Sequence, residues 1–279
     1  MLTVSNALRR RATTAALLIP LTVTVVLWSP TSIFGLYFAA FVLLGAWEWT
    51  GLAGLARIPA RVGYLVTIGA ALLGLWFVPP GPWSLWLLAG AALWWWWLAL
   101  TLPRIQTVTP TAGLSARLLL TGLIVLVGPW VAMVHLHGAL PAGPLLLLFL
   151  LVLIWVADSA AYFSGRRWGK AKLAPALSPG KTWAGVHGAL IGAALCGAAL
   201  GLALELDWHE TLLAILICGL TVAISIVGDL YESLLKRRRG LKDSGRLLPG
   251  HGGVLDRIDS LTSAAPIFTL GVILTGIGR

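Results

Sequence analysis

"LLLLFLLVLIWVAD", Leu145 to Asp158, decides the architecture. An unbroken apolar run ended by one carboxylate leaves no polar face for water. A half-buried helix would turn a charged face outward every three to four residues, and a half-buried strand every second one. With its flanks the run covers residues 144–163, about the 20 residues that cross a bilayer as a helix. Working outward, eight more such stretches appear: 12–29, 31–50, 62–79, 83–102, 117–134, 184–204, 211–228 and 260–278.

The whole chain agrees with this reading. Its 279 residues are 58% hydrophobic and only 11% charged, whereas a soluble domain is about one-quarter charged. The mean hydropathy is +0.91. There is too little polar surface to meet water on all sides, so most of the exterior must face lipid. Lipid offers backbone amides no partners, which leaves helices or a closed barrel. The short alternating segments of a barrel are absent from the sequence. The expectation is an all-α, polytopic integral membrane protein of about nine transmembrane helices. Arg9, Arg10 and Arg11 precede the first stretch as in a secretion signal. No small-residue cleavage site follows, and more spans come at once, so a retained first helix is expected.

Charge orients these spans. With nine of them, the N-terminus shares a side with the loops after spans two, four, six and eight. Nineteen of the 20 basic residues fall on that side, and Arg279 alone falls opposite. Basic residues are retained in the cytoplasm during insertion, so a cytoplasmic N-terminus is expected. The net charge of +10 therefore needs no nucleic acid to explain it, and a basic face also attracts anionic lipid.

Several features read as structural. Cys196 and Cys218 lie inside apolar spans without metal-type spacing, and no disulfide is expected. Trp94 to Trp97 read as an interfacial aromatic belt. Gly188 and Gly192, then Gly197 and Gly201, permit close helix packing within the protomer. His135 and His137 fall between spans five and six and read as solvated loop residues without a third metal ligand. Residues 1–150 contain one acid, Glu48, and read as scaffold helices. The chemistry is expected in residues 151–279, around two rich loops, 164–183 and 229–259.

Asp158 closes its apolar run with Tyr162 one helical turn on. Intramembrane carboxylates are costly and are usually functional or paired, although one at a helix end can also reach water. Ser178, Pro179, Gly180, Lys181 and Thr182 stand just before span seven, where hydroxyls, a lysine and free amides make an anion site. Asp229, Glu232, Ser233 and Lys236 follow at i, i+3, i+4 and i+7, one face of a helix leaving span eight. Carboxylates beside cations at a water interface suit a hard divalent ion such as Mg²⁺. Gly250, Gly252 and Gly253 flank His251, and Asp256, Arg257 and Asp259 follow. Acids for a metal alternate with bases for phosphates, which a merely basic loop would not need.

At these residues the chain resembles the phosphatidate cytidylyltransferase family. The family pattern S-x-x-K-R, K-D, a small residue, H-G-G and D-R-x-D is met by Ser233, Lys236, Arg237, Lys242, Asp243, Gly245, His251, Gly252, Gly253, Asp256, Arg257 and Asp259. An upstream G-D-x-x-E-S is met by Gly228, Asp229, Glu232 and Ser233. Two positions depart: Gly180 stands where the family has lysine, and Ala184 where it has glutamate. The motif-level likeness covers about residues 155–260.

The resemblance implies transfer of the cytidylyl group of CTP to phosphatidate, at the cytoplasmic face of the inner (plasma) membrane. It implies Asp229 and Asp256 as Mg²⁺ ligands, with Glu232, Asp243, Asp259 and Asp158 of second rank. Lys181, Lys242, His251 and Arg257 would contact phosphates. Ser178 and Thr182 would supply hydroxyls, and Ser233, Lys236, Gly252 and Gly253 would complete the substrate site. A second, monovalent cation such as K⁺ and a homodimer are also implied. Two other readings fit the same residues: a CTP-using enzyme acting on an isoprenoid phosphate or alcohol, and a transporter of an anionic solute. The second fits less well, because the charges gather on one side only.

Overall fold

The computed structural model describes residues 2–79, 81–245, 247 and 252–279, and for residues 2–12 the helix backbone alone. The helical segments are α1 (Leu2–Trp28), α2 (Thr31–Ala53), α3 (Ile58–Trp76), α4 (Pro82–Thr101), α5 (Ala116–Gly122), α6 (Gly128–Ala139), α7 (Gly143–Trp168), α8 (Trp183–Ala203), α9 (Trp208–Arg238) and α10 (Leu255–Thr275). A π-helical turn, Leu123–Val127, joins α5 to α6, so the two form one span, Ala116–Ala139. Among the described residues eight helices are long and apolar enough to cross a membrane, and α1 is apolar over Thr13–Trp28. The all-α polytopic architecture read from the sequence is therefore the observed one. The one sheet among the described residues is a hairpin of β1 (Lys172–Ala174) and β2 (Ser178–Thr182).

The helix α10 is the most enclosed of the spans and packs against α9, α6 and α4. Its neighbour α9 is 31 residues long, or about 46 Å at 1.5 Å per residue. A hydrocarbon core is about 30 Å thick, so the last turns of α9 can stand beyond it, and those turns carry the charges. Hydrogen bonds tie the ends of α2 and α9 to the segment before α5 on this side of the bundle. Arg239 donates to the carbonyls of Leu52, Thr111 and Gly113 at 2.7, 2.9 and 2.8 Å, and Thr111 N donates to Arg238 O at 2.8 Å. The small-residue stripe of α8 packs within the chain as expected. A Cβ on Gly197 would come within 2.6 Å of Ile215 Cα on α9.

Two expectations need correction. Neither His135 nor His137 is a solvated loop residue, since both lie on α6. The fifth span runs on to Ala139, so His137 is buried on α6, stacked on Phe34 at 4.6 Å and within 3.0 Å of Thr31 Oγ1 and Val26 O. The Trp94–Trp97 run is not a uniform belt either. Successive helical residues turn by about 100°, so four in a row cannot share one face. Trp96 and Trp97 are exposed, while Trp95 is fully buried, its ring 5.9 Å from that of Tyr231.

Candidate active site

Two clusters of opposite charges lie at this end of the bundle. The first forms around the hairpin. After Asp158, α7 continues to Trp168, and β1 and β2 then pair antiparallel, Lys172 opposite Thr182 and Ala174 opposite Ser178. Thr182 is the N-cap of α8, its Oγ1 accepting from Gly185 N at 3.1 Å. Its buried hydroxyl is thus engaged in starting a helix. Ser178 is half-buried at the far end of β2. Lys181 Nζ lies 2.7 Å from Asp229 Oδ2 on α9, and Asp229 Oδ1 accepts from Ser233 Oγ at 3.3 Å. Asp158, Tyr162, Gly180, Lys181 and Asp229 line a cleft of about 370 Å³. Asp158 is within electrostatic reach of both Lys181 and Asp229.

The second cluster joins α9 to α10. Lys236 Nζ lies 2.6 Å from Asp256 Oδ1 and 3.3 Å from Glu232 Oε1, the latter without hydrogen-bond geometry. Asp256 Oδ2 also accepts from Ser244 N at 3.0 Å and Gly253 N at 2.8 Å. Asp259 lies one turn along α10 and interacts electrostatically with Asp229 and Lys181 on one side and Lys236 on the other. Gly228 lets the two helices approach, since a Cβ there would lie 2.6 Å from Asp259 O.

Carboxylate oxygen is the donor type that a hard divalent cation takes. Four carboxylates (Asp229, Glu232, Asp256 and Asp259) surround two ammonium groups, and both Glu232 oxygens are buried without a hydrogen-bond partner. Among the described residues no three His, Cys, Asp or Glu side chains converge as a ready cage. Mg²⁺ does not require one, because it commonly takes one or two carboxylates and completes its shell with substrate phosphates and water.

The other expected residues fall around these clusters. Lys242 and Asp243 are exposed in the turn after α9. Gly252 has φ +86°, a left-handed conformation that favours glycine, and a Cβ there would lie 2.9 Å from Asp256 Oδ2. The Gly253 amide is taken by Asp256. Arg257 is exposed and borders a second, apolar groove of about 320 Å³. Its walls include Leu18 and Thr22 of α1, Phe38 of α2 and Ile258 of α10. His251 lies outside the described residues.

Sequence reasoning missed one carboxylate. Glu48, on α2, is 3% exposed and reaches the start of α10. It accepts from Val254 N at 3.0 Å, Leu255 N at 2.8 Å and Ser244 Oγ at 3.1 Å. The first amides of a helix need outside partners, and Val254 itself offers no side-chain cap. A carboxylate at a helix N-terminus also meets the positive end of its dipole, and such a cap contributes about 1 kcal/mol. The signal was present, because a lone acid in an apolar span is a functional candidate by default. Its partner, some two hundred residues on, could not be read.

Comparison with known proteins places these motifs in a family. Residues 9–274 match the cytidylyltransferase family. The chain is 42% identical to phosphatidate cytidylyltransferase of Pseudomonas aeruginosa, over 97% of this chain and 99% of that protein. It is 38% identical to phosphatidate cytidylyltransferase of Haemophilus influenzae, over 94% of this chain and 97% of that protein. The protein of the same name from Brucella suis is 38% identical over 83% of this chain and 74% of its own length.

Proposed function

Because the chain belongs to the cytidylyltransferase family, we propose that it transfers the cytidylyl group of CTP to phosphatidate, releasing pyrophosphate and leaving CDP-diacylglycerol in the membrane for phospholipid synthesis. The observation that carries this reading is the Lys181–Asp229 pair on the wall of a cleft at the end of a lipid-facing bundle. A cleft there that carries charged groups among apolar walls can meet a soluble nucleotide and a substrate whose tails stay in the bilayer.

The chemistry follows from the charges. A phosphate oxygen of phosphatidate attacks the α-phosphorus of CTP, the α–β phosphoanhydride bond breaks, and pyrophosphate leaves. The attacking oxygen is already ionised near neutral pH, so no strong general base is needed. The main obstacle is bringing several anions together, and preorganised cations lower it most. Lys181, Lys242, His251 and Arg257 would take that role, with Ser178, Thr182, Ser233, Lys236, Gly252 and Gly253 shaping the site. Asp229 and Asp256 would hold Mg²⁺, with Glu232, Asp243, Asp259 and Asp158 around them. When bound, the ion would neutralise the triphosphate and align it for in-line displacement. A monovalent cation such as K⁺ and a second copy of the chain belong to the same proposal. So does an active site facing the cytoplasm from the inner membrane, by the distribution of basic residues. The groove beside Arg257 would receive an acyl chain, bringing the headgroup toward the basic residues.

The test is pyrophosphate release from CTP by purified protein, with phosphatidate, with an isoprenoid phosphate and with neither. Release that requires both phosphatidate and Mg²⁺ supports the reading. Release with the isoprenoid phosphate alone, or none with any lipid, overturns it.

A further inference from the structure

The family motifs end at the α9–α10 region, yet a carboxylate outside them holds that region in place. We propose that Glu48 is a positioning residue for the reaction, setting the loop that presents Asp256. This proposal rests on the function given above. Glu48 Oε1 and Oε2 take the amides of Val254 and Leu255, and Oε2 also takes the Ser244 hydroxyl. The backbone of that same Ser244, and that of Gly253, donate to Asp256. One buried carboxylate thus holds Ser244 and the backbone beside Gly253, the same two places that donate to the other. Loop and carboxylate are in close contact: a Cβ on Gly253 would lie 2.6 Å from Glu48 Oε2, and one on Gly245 would overlap Glu48 Oε1. A side chain at either motif glycine would crowd the Glu48 carboxylate.

Glu48 has its carboxylate engaged by loop and helix donors, so its effect must pass through Asp256. A small misplacement of a reacting group can lower a rate about a hundredfold. The Glu48→Gln protein should lose roughly that factor in kcat, with KM for CTP and melting temperature little changed. Ser244→Ala, a milder change, should lose several-fold. Hydrogen exchange gives a readout free of turnover: the amides of Ser244 and of residues 253–255 should exchange faster in Glu48→Gln than in the parent. A kcat within twofold of the parent, or unchanged exchange, overturns the proposal. So does a fall in kcat matched by equal losses in CTP binding and melting temperature, which would make Glu48 a folding residue only. An inactive parent protein would sink the reaction instead, and the exchange comparison would still decide the anchoring role.

Discussion

Lys236 Nζ and Asp256 Oδ1 lie 2.6 Å apart, their side chains 13% and 8% exposed. The Lys181–Asp229 pair is as short, at 2.7 Å, but is 25% and 32% exposed. The first pair is nearly dry and joins two helices; the second is wetter and faces the cleft. Removing one partner of a buried pair costs about 3–5 kcal/mol, because the other charge is left uncompensated. Lys236→Met should therefore unfold at clearly lower temperature, as thermal denaturation in detergent would read. A melting point unchanged within a degree or two would contradict this.

The wetter pair should behave in the opposite way. A partly exposed ion pair contributes about 1 kcal/mol or less to stability, so Lys181→Met should fold normally. Loss of one preorganised cation at developing charge costs about 10²–10³ in rate. Steady-state assays should show that fall, with a raised KM for CTP.

Asp229→Asn and Asp256→Asn should each abolish turnover in a protein that still inserts. Solubilisation from membranes and assay over a range of Mg²⁺ concentrations would check both halves of the statement. Near-normal rates in both variants would remove the metal assignment.

The two departures from the family pattern should be reversible. A Cβ on Gly180 meets nothing within 4 Å, and Gly180 lines the cleft. Gly180→Lys should fold as the parent does and lower the KM for CTP by adding a cation beside the phosphates. Ala184→Glu should also fold. Gly253→Ala should melt lower than either, since its new methyl group would lie 2.7 Å from the Gly245 backbone nitrogen. Melting curves of the three variants give the comparison.

Much of this was legible because lipid imposes a strong pattern on sequence. The apolar run before Asp158 could only be a span, and Asp229, Glu232, Ser233 and Lys236 do share the emerging face of α9. What could not be read was pairing. In "KRRR", Lys236 enters the charged cluster while Arg239 binds three backbone carbonyls. Residue type alone does not separate the two tasks. The hairpin was hidden for a similar reason, because Ser178–Thr182 is too short for alternation to show. His137 was misjudged because the end of a span is set by its neighbours, here Phe34 and Thr31.

The bond from Glu48 to Val254 spans 206 positions of sequence. During synthesis that carboxylate is laid down long before the amides that will satisfy it exist. The carboxylate of α2 therefore stays without these donors until α10 docks beside it.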